Sequence, residues 1–271
     1  MTSNLNTILA GLSTARIIDL AQPMKRGMPQ SPNHPPFRMI LERRHGDMVR
    51  ADGGSASNEI IVTGGHVGTH IDGLSHVSQE GKLFGGVDAY EAQGADGFKV
   101  HGIDTMTPFV GRGVLLNIAR LHGVSTLPAG YGITADDLTR AEKAQGVSVQ
   151  AGDSVLIGSG WSRRWTERDA FIGLTDGVPG VDTSGAEWIA SRKVKIAAGE
   201  TIAFEQITAG AGHSLLPVHR ILLVEHGIHI METLKLDELL DADVSEFLFV
   251  VSPLRVVGAT GAPVRPLAII P

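Results

Sequence analysis

Short stretches rich in Val, Ile and Leu recur along the chain at 16–20, 58–63, 114–118, 154–158, 201–206, 220–224 and 247–251. Runs of this length and content, separated by Gly, Pro, Asp and Ser, read as β-strands. The helical signal is sparser. Thr134-Ala135-Asp136-Asp137-Leu138 opens the clearest helix: Thr134 can cap it, the aspartates fall in the first turn where the helix dipole favours them, and Gly146 can end it. A second helix is predicted from about Thr183 or Ser184 to about Arg192. Neither internal repeats nor low-complexity tracts appear, and no shift in composition marks a linker. The pattern is that of a mixed α/β chain with more strands than helices, read as one domain over 1–271.

Composition narrows the function classes. A chain of 271 residues, 42% hydrophobic, can bury a sizeable core. A net charge of −6 gives no basic surface, so nucleic acid is not an expected partner. With no cysteine there is no disulfide, thiolate metal site or cysteine nucleophile. The N-terminal residues lack a basic start followed by an apolar stretch, and no run approaches the 18 or so apolar residues of a membrane span. A cytoplasmic location without membrane association is the expectation.

The chemistry concentrates in one place. His66-Val67-Gly68-Thr69-His70-Ile71-Asp72-Gly73-Leu74-Ser75-His76 holds three of the chain's eleven histidines and an aspartate. Imidazole with carboxylate suits a borderline divalent ion. In a strand, His66, His70, Asp72 and His76 share a parity and hence a face. An extended chain would nevertheless hold His66 and His70 about 13 Å apart, so the backbone must bend. Gly64, Gly65, Gly68 and Gly73 permit that bend and argue against a helix. The expected form is a bulged strand leaving a turn, with His70 and Asp72 adjacent on one face. A helix would instead pair His66 with His70 and Asp72 with His76 on different faces.

The His-x-Gly-Thr-His-x-Asp-x-x-x-His run resembles the metal-dependent cyclase family, which includes bacterial kynurenine formamidase and isatin hydrolase. The resemblance extends from about 16 to 255. Ile17-Ile18-Asp19-Leu20-Ala21-Gln22-Pro23-Met24, followed by Gly27-Met28-Pro29, is similar to the family's opening strand and loop. Gly152 to Trp161 is similar to its central strand, and Pro217-Val218-His219-Arg220 with Gly227 to Glu232 to its C-terminal site segments. Short formamidases of the family carry Asp-x-Pro-x-His where this chain has Asp72-Gly73-Leu74-Ser75-His76, which points to the longer, isatin hydrolase-like branch. A second departure is Gly199-Glu200-Thr201, where relatives commonly have a central aspartate.

The resemblance implies a β-rich swivelling β/β/α core and a homo-oligomer, a homodimer or homotetramer. It makes His66, His70 and Asp72 metal ligands and His76 the proton donor and acceptor. Glu232 and His219 match positions that complete the site in two-metal members. His219 could equally hydrogen-bond the substrate or a water. Glu232 follows Ile228 and Ile230, so it is expected at the inner end of a strand, where an unpaired carboxylate is costly without a metal or Arg partner. Glu205 is a weaker candidate of the same kind, taken as a substrate contact, and Trp161 is a candidate wall for a planar substrate. His34, His45, His101, His122, His226 and His229 are read as solvated or structurally satisfied. Gly158-Ser159-Gly160-Trp161-Ser162 lacks the glycine pattern of a nucleophile elbow, and no phosphate-loop or dinucleotide motif appears.

The expected function is hydrolysis of an amide C–N bond in a small molecule by water activated on Mn(II) or Zn(II), one ion or two. A divalent ion lowers the pKa of bound water from about 15.7 towards 7, and a nearby His can protonate the departing nitrogen. A cyclic amide such as isatin is the leading substrate class. The alternatives are an arylformamidase acting on N-formylkynurenine, and a metal-containing binding or lyase-type protein without hydrolysis.

Overall fold

The computed structural model describes residues 2–270. Nine strands form one sheet: β1 (Arg16–Asp19), β2 (His70–Asp72), β3 (Phe109–Asn117), β4 (Ser154–Gly158), β5 (Ile196–Gly199), β6 (His229–Glu232), β7 (Glu246–Val251), β8 (Gly261–Pro263) and β9 (Leu267–Ile270). Their order across the sheet is β1-β9-β7-β3-β4-β5-β6-β2-β8. The central strands β3, β4, β5 and β6 are mutually parallel, and the flanking strands are antiparallel.

Alternation of side chains across this sheet builds two apolar layers. Val114, Leu116, Val155, Ile157, Ala197 and Ile230 face one layer, and Leu115, Leu156, Ile196, Ala198 and Met231 face the other. Strands covered on both sides must be apolar at successive positions, as these are. The first layer is closed by helices Ala135–Gln145 and Thr183–Ser191, through Leu138, Ala141, Ala186 and Ile189. The longer helix begins on a capping box between Thr134 and Asp137 and ends at Gly146, whose φ of +66° is the left-handed closure glycine accepts readily.

Two expected strands are absent. Residues 201–206 run irregularly after β5, burying Glu200 and Glu205 and turning at Phe204, whose φ is +56°. Residues 220–224 lie in a π-helical turn, Arg220–Glu225, entered through Pro217. The apolar run there packs Ile221, Leu222 and Leu223 into the first layer as a helical face does. The expected 58–63 strand forms as Asn58–Val62, paired with Arg38–Arg43 in a two-stranded ribbon outside the main sheet. Among the described residues, no helix is long and apolar enough to cross a membrane.

Candidate metal centre

β2 lies between β6 and β8, so its two outward residues, His70 and Asp72, arrive beside Glu232 and Gly261. Register pairs His70 with Glu232 and Asp72 with Gly261. Before β2 the chain turns at Gly68, with φ +72°, and the Gly68 carbonyl accepts the His70 Nδ1–H at 2.8 Å. That bond leaves His70 Nε2 facing the carboxylates, 3.4 Å from Glu232 Oε2 and 3.7 Å from Asp72 Oδ1. The same bend returns His66 over Asp72, where His66 Nδ1–H donates to Asp72 Oδ1 at 2.7 Å. A Cβ on Gly261 would fall 2.5 Å from His66 Cε1, so glycine there makes room for the ring.

His76 stacks on His66, with ring centroids 3.8 Å apart. His219, from the short helix Pro217–His219, brings Nε2 to 3.2 Å from Glu232 Oε1 and 3.7 Å from Asp72 Oδ2. Two sets of donor atoms result, each lying within 4.8 Å of one another: His66, Asp72 and His76; and Asp72, His219 and Glu232. Asp72 belongs to both. His70 Nε2 borders the gap from the strand side.

The electrostatics are those of a cation site. Asp72 is fully buried, and its Oδ2 has no hydrogen-bond partner. Glu232 is buried beside it. Burial pushes the Glu232 carboxyl up to about 7, with the Asp72 charge adding to the shift. Burial also pushes the imidazoles of His70 and His76 down, to about 4 and about 3, so both are neutral ligands or bases at neutral pH. Burial would raise the Asp72 carboxyl too, but the surrounding His76, His66 and His70 outweigh it and hold it well below the usual range. His219 is the exception. Burial opposes its charge, yet Glu205 and Glu232 together raise it to about 10, so in the metal-free chain an imidazolium supplies the positive charge the carboxylates need. Two carboxylates, one with an oxygen that accepts no hydrogen bond, and four imidazoles fit a divalent ion with nitrogen and oxygen ligands.

A Cyclase family model matches residues 18–206. The chain belongs to the cyclase family. Among curated proteins, this cyclase-family chain is similar to the isatin hydrolase of Roseibium aggregatum, 26% identical over 215 residues, or 78% of this chain and 74% of that protein. It is also similar to the kynurenine formamidase of Geobacillus thermodenitrificans, 25% identical over 248 residues, covering 92% and 94%. Its fold matches a solved cyclase with a TM-score of 0.84, at 28% identity, over 99% of this chain and 93% of that one. Isatin hydrolase A from Ralstonia solanacearum matches with a TM-score of 0.76 at 23% identity, over 98% and 97%. Relatives of this cyclase-family chain thus include an isatin hydrolase and a kynurenine formamidase, and its mixed α/β sheet is the family's.

Within this cyclase-family site, the structure gathers His66, His70, Asp72, His76, His219 and Glu232 and leaves two expected residues out of the open space. Trp161 is 1% exposed, packed with Phe171 and Trp165, and its Nε1–H donates to the Phe171 carbonyl at 3.0 Å; it is core, not a pocket wall. Glu205 is equally buried and lies behind His219, accepting its Nδ1–H at 2.6 Å, so it is not placed to touch a substrate. His76, expected to stand apart as proton carrier, shares the donor set of His66 and Asp72, within reach of the same centre. The sequence did not single out Thr260, and it set His34 and His229 aside as solvated or structurally satisfied. Thr260 Oγ1 lies 2.9 Å from His66 Nε2, and His34 stacks over His66 at 5.3 Å. His229 donates Nδ1–H to the Asp72 carbonyl at 2.8 Å, and Asn33 meets His213 at 3.3 Å. No local motif marks Thr260, Asn33 or His213, because they come from segments distant along the chain. Glu200 also has a visible role: its carboxylate accepts Ser159 N–H and Gly160 N–H on one oxygen and Ser162 N–H and Oγ–H on the other, tying β5 to the loop after β4.

Proposed function

We propose that this chain is a metal-dependent amidohydrolase that opens the C–N bond of a small cyclic amide. One observation carries the reading. The buried Asp72 carboxylate is shared by two donor sets, and its Oδ2 accepts no hydrogen bond, with only His219 Nε2 at 3.7 Å beside it, which leaves it open to a cation. Mn(II) or Zn(II) would be held by His66, Asp72 and His76 in one position and by Asp72, His219 and Glu232 in the other, with His70 at their border. When bound, such an ion polarises a carbonyl and lowers the pKa of water towards neutrality. The chain's own residues supply the rest. With the ion in the Asp72, His219 and Glu232 position and the other position empty, His76 keeps a free ring nitrogen and can take a proton from the attacking water and return it to the departing nitrogen. The choice of a cyclic amide over N-formylkynurenine follows the similarity to isatin hydrolases in sequence and in fold. An assay with both compounds tests the choice: faster opening of isatin supports it, and faster deformylation overturns it.

The ribbon supports assembly into a homodimer. Every residue of Arg38–Arg43 and Asn58–Val62 is exposed, and Met39, Ile40, Leu41, Ile60, Ile61 and Val62 keep 44–56% of their surface in water. An isolated two-stranded ribbon is marginal in water, and a clustered apolar surface marks an interface. The expected mass in solution is twice 28.6 kDa, reduced to the monomer value by Ile40→Glu. A monomeric parent, or a dimer unaffected by Ile40→Glu, would contradict this assembly.

A further inference from the structure

Glu205 is the one buried carboxylate beside the site that faces away from the gap between Asp72 and Glu232. It is 1% exposed and collects three N–H donors. Its Oε1 accepts from His219 Nδ1 at 2.6 Å and from the His219 backbone at 3.1 Å, and its Oε2 accepts from the Val218 backbone at 3.3 Å. The backbone pays for this placement at Phe204. A φ of +56° is unfavourable for a side chain with a Cβ and persists only where the surroundings impose it. Phe204 packs into the helix-covered layer while the next residue meets His219.

We infer that Glu205 is a positioning residue for His219. With Nδ1–H committed to Glu205, the ring can neither rotate about χ1 nor change tautomer without costing a buried carboxylate its shortest hydrogen bond, and Nε2 is left facing Asp72 Oδ2 and Glu232 Oε1. A carboxylate behind a metal-ligating histidine fixes the ring and makes its free nitrogen a stronger donor. The inference rests on the second ion position proposed above, and it places Glu205 outside the substrate's reach.

The test is metal titration of the apo chain, monitored by Co(II) absorption, with 15N NMR of the histidine rings. Glu205→Leu should weaken the position formed by Asp72, His219 and Glu232 by about 10- to 100-fold, with the His66, Asp72 and His76 position unchanged. Glu205→Gln, which keeps an acceptor oxygen, should recover most of that loss. In the metal-loaded parent, His219 should carry its proton on Nδ1. Affinity within twofold of the parent in Glu205→Leu, or a proton on Nε2 with metal on Nδ1 in the parent, overturns the inference. A parent that takes up a single ion refutes the two-ion reading instead. Glu205 is then judged by the ring alone: Nδ1 protonated in the parent and released from that state in Glu205→Leu supports its role, and an unchanged ring signal overturns it.

Discussion

Asp72→Asn separates a shared ligand from two independent ones. The amide keeps an oxygen to accept His66 Nδ1–H, so the fold around β2 is retained while the charge is lost. Apparent binding energies of structural zinc sites run to about 10–16 kcal/mol, which over four ligands is about 3 kcal/mol each, or ~10²-fold in Kd. Because Asp72 stands in both donor sets, one substitution should weaken both positions by about that factor. Glu232→Gln, by contrast, should weaken only the position it shares with His219. The assay is metal content by plasma mass spectrometry after dialysis against buffered Zn(II) or Mn(II), with affinities from competition with a chromophoric chelator. If Asp72→Asn weakens one position and spares the other, or if Glu232→Gln empties both, the shared-carboxylate geometry is wrong.

Two further outcomes follow from the same contacts. His219 is raised from 6.5 to about 10 in the metal-free fold, burial being outweighed by its bonds to Glu205 and Glu232; the folded state therefore holds a proton that the unfolded state releases above 6.5. Its stabilisation is full below pH 6.5 and declines by about 1.4 kcal/mol per pH unit as pH rises towards 10. Chelated protein should show falling urea midpoints from pH 7 to 9 and His219→Gln a flat profile; parallel profiles would refute the assignment. Asp137 accepts bonds from the Thr134 backbone at 3.1 Å, Tyr131 Oη at 3.1 Å and His122 Nε2 at 2.8 Å. Asp137→Ala should cost about 3 kcal/mol, the sum of the lost return bond of the capping box and the orphaned donors, and lower the melting temperature by about 6–10 °C; a shift under 2 °C would show that these bonds are not limiting.

What could be read from the sequence was what is local in it. Ser154–Gly158 is a strand at the bounds its Val-Leu-Ile run suggested, and the helix after Thr134 begins and ends at its cap and its glycine. The metal motif was legible for the same reason, since three histidines and an aspartate lie within the eleven residues from His66 to His76. The run Ile221-Leu222-Leu223-Val224 misled, because four successive apolar residues fit a buried strand and a buried helical face alike, and Pro217 at the helix start was the deciding signal. Thr201 to Gln206 misled because Glu200 before it and Glu205 within it are buried by partners far away, Glu200 by the Ser159–Ser162 loop and Glu205 by His219. No periodicity encodes a bond between residues 14 or 41 positions apart. Trp161 followed the right strand but turned into the core, where its indole N–H finds the Phe171 carbonyl.

The central claim is that the site built on Asp72 holds a divalent ion needed to break an amide C–N bond. Its most direct test is isatin ring opening by the purified chain before chelation, after removal of metal, and after stepwise return of Mn(II) or Zn(II). The account predicts activity that disappears with the metal and returns in proportion to ion bound, but does not return in Asp72→Asn. Undiminished turnover by the metal-free chain, or full restoration in Asp72→Asn, would contradict it.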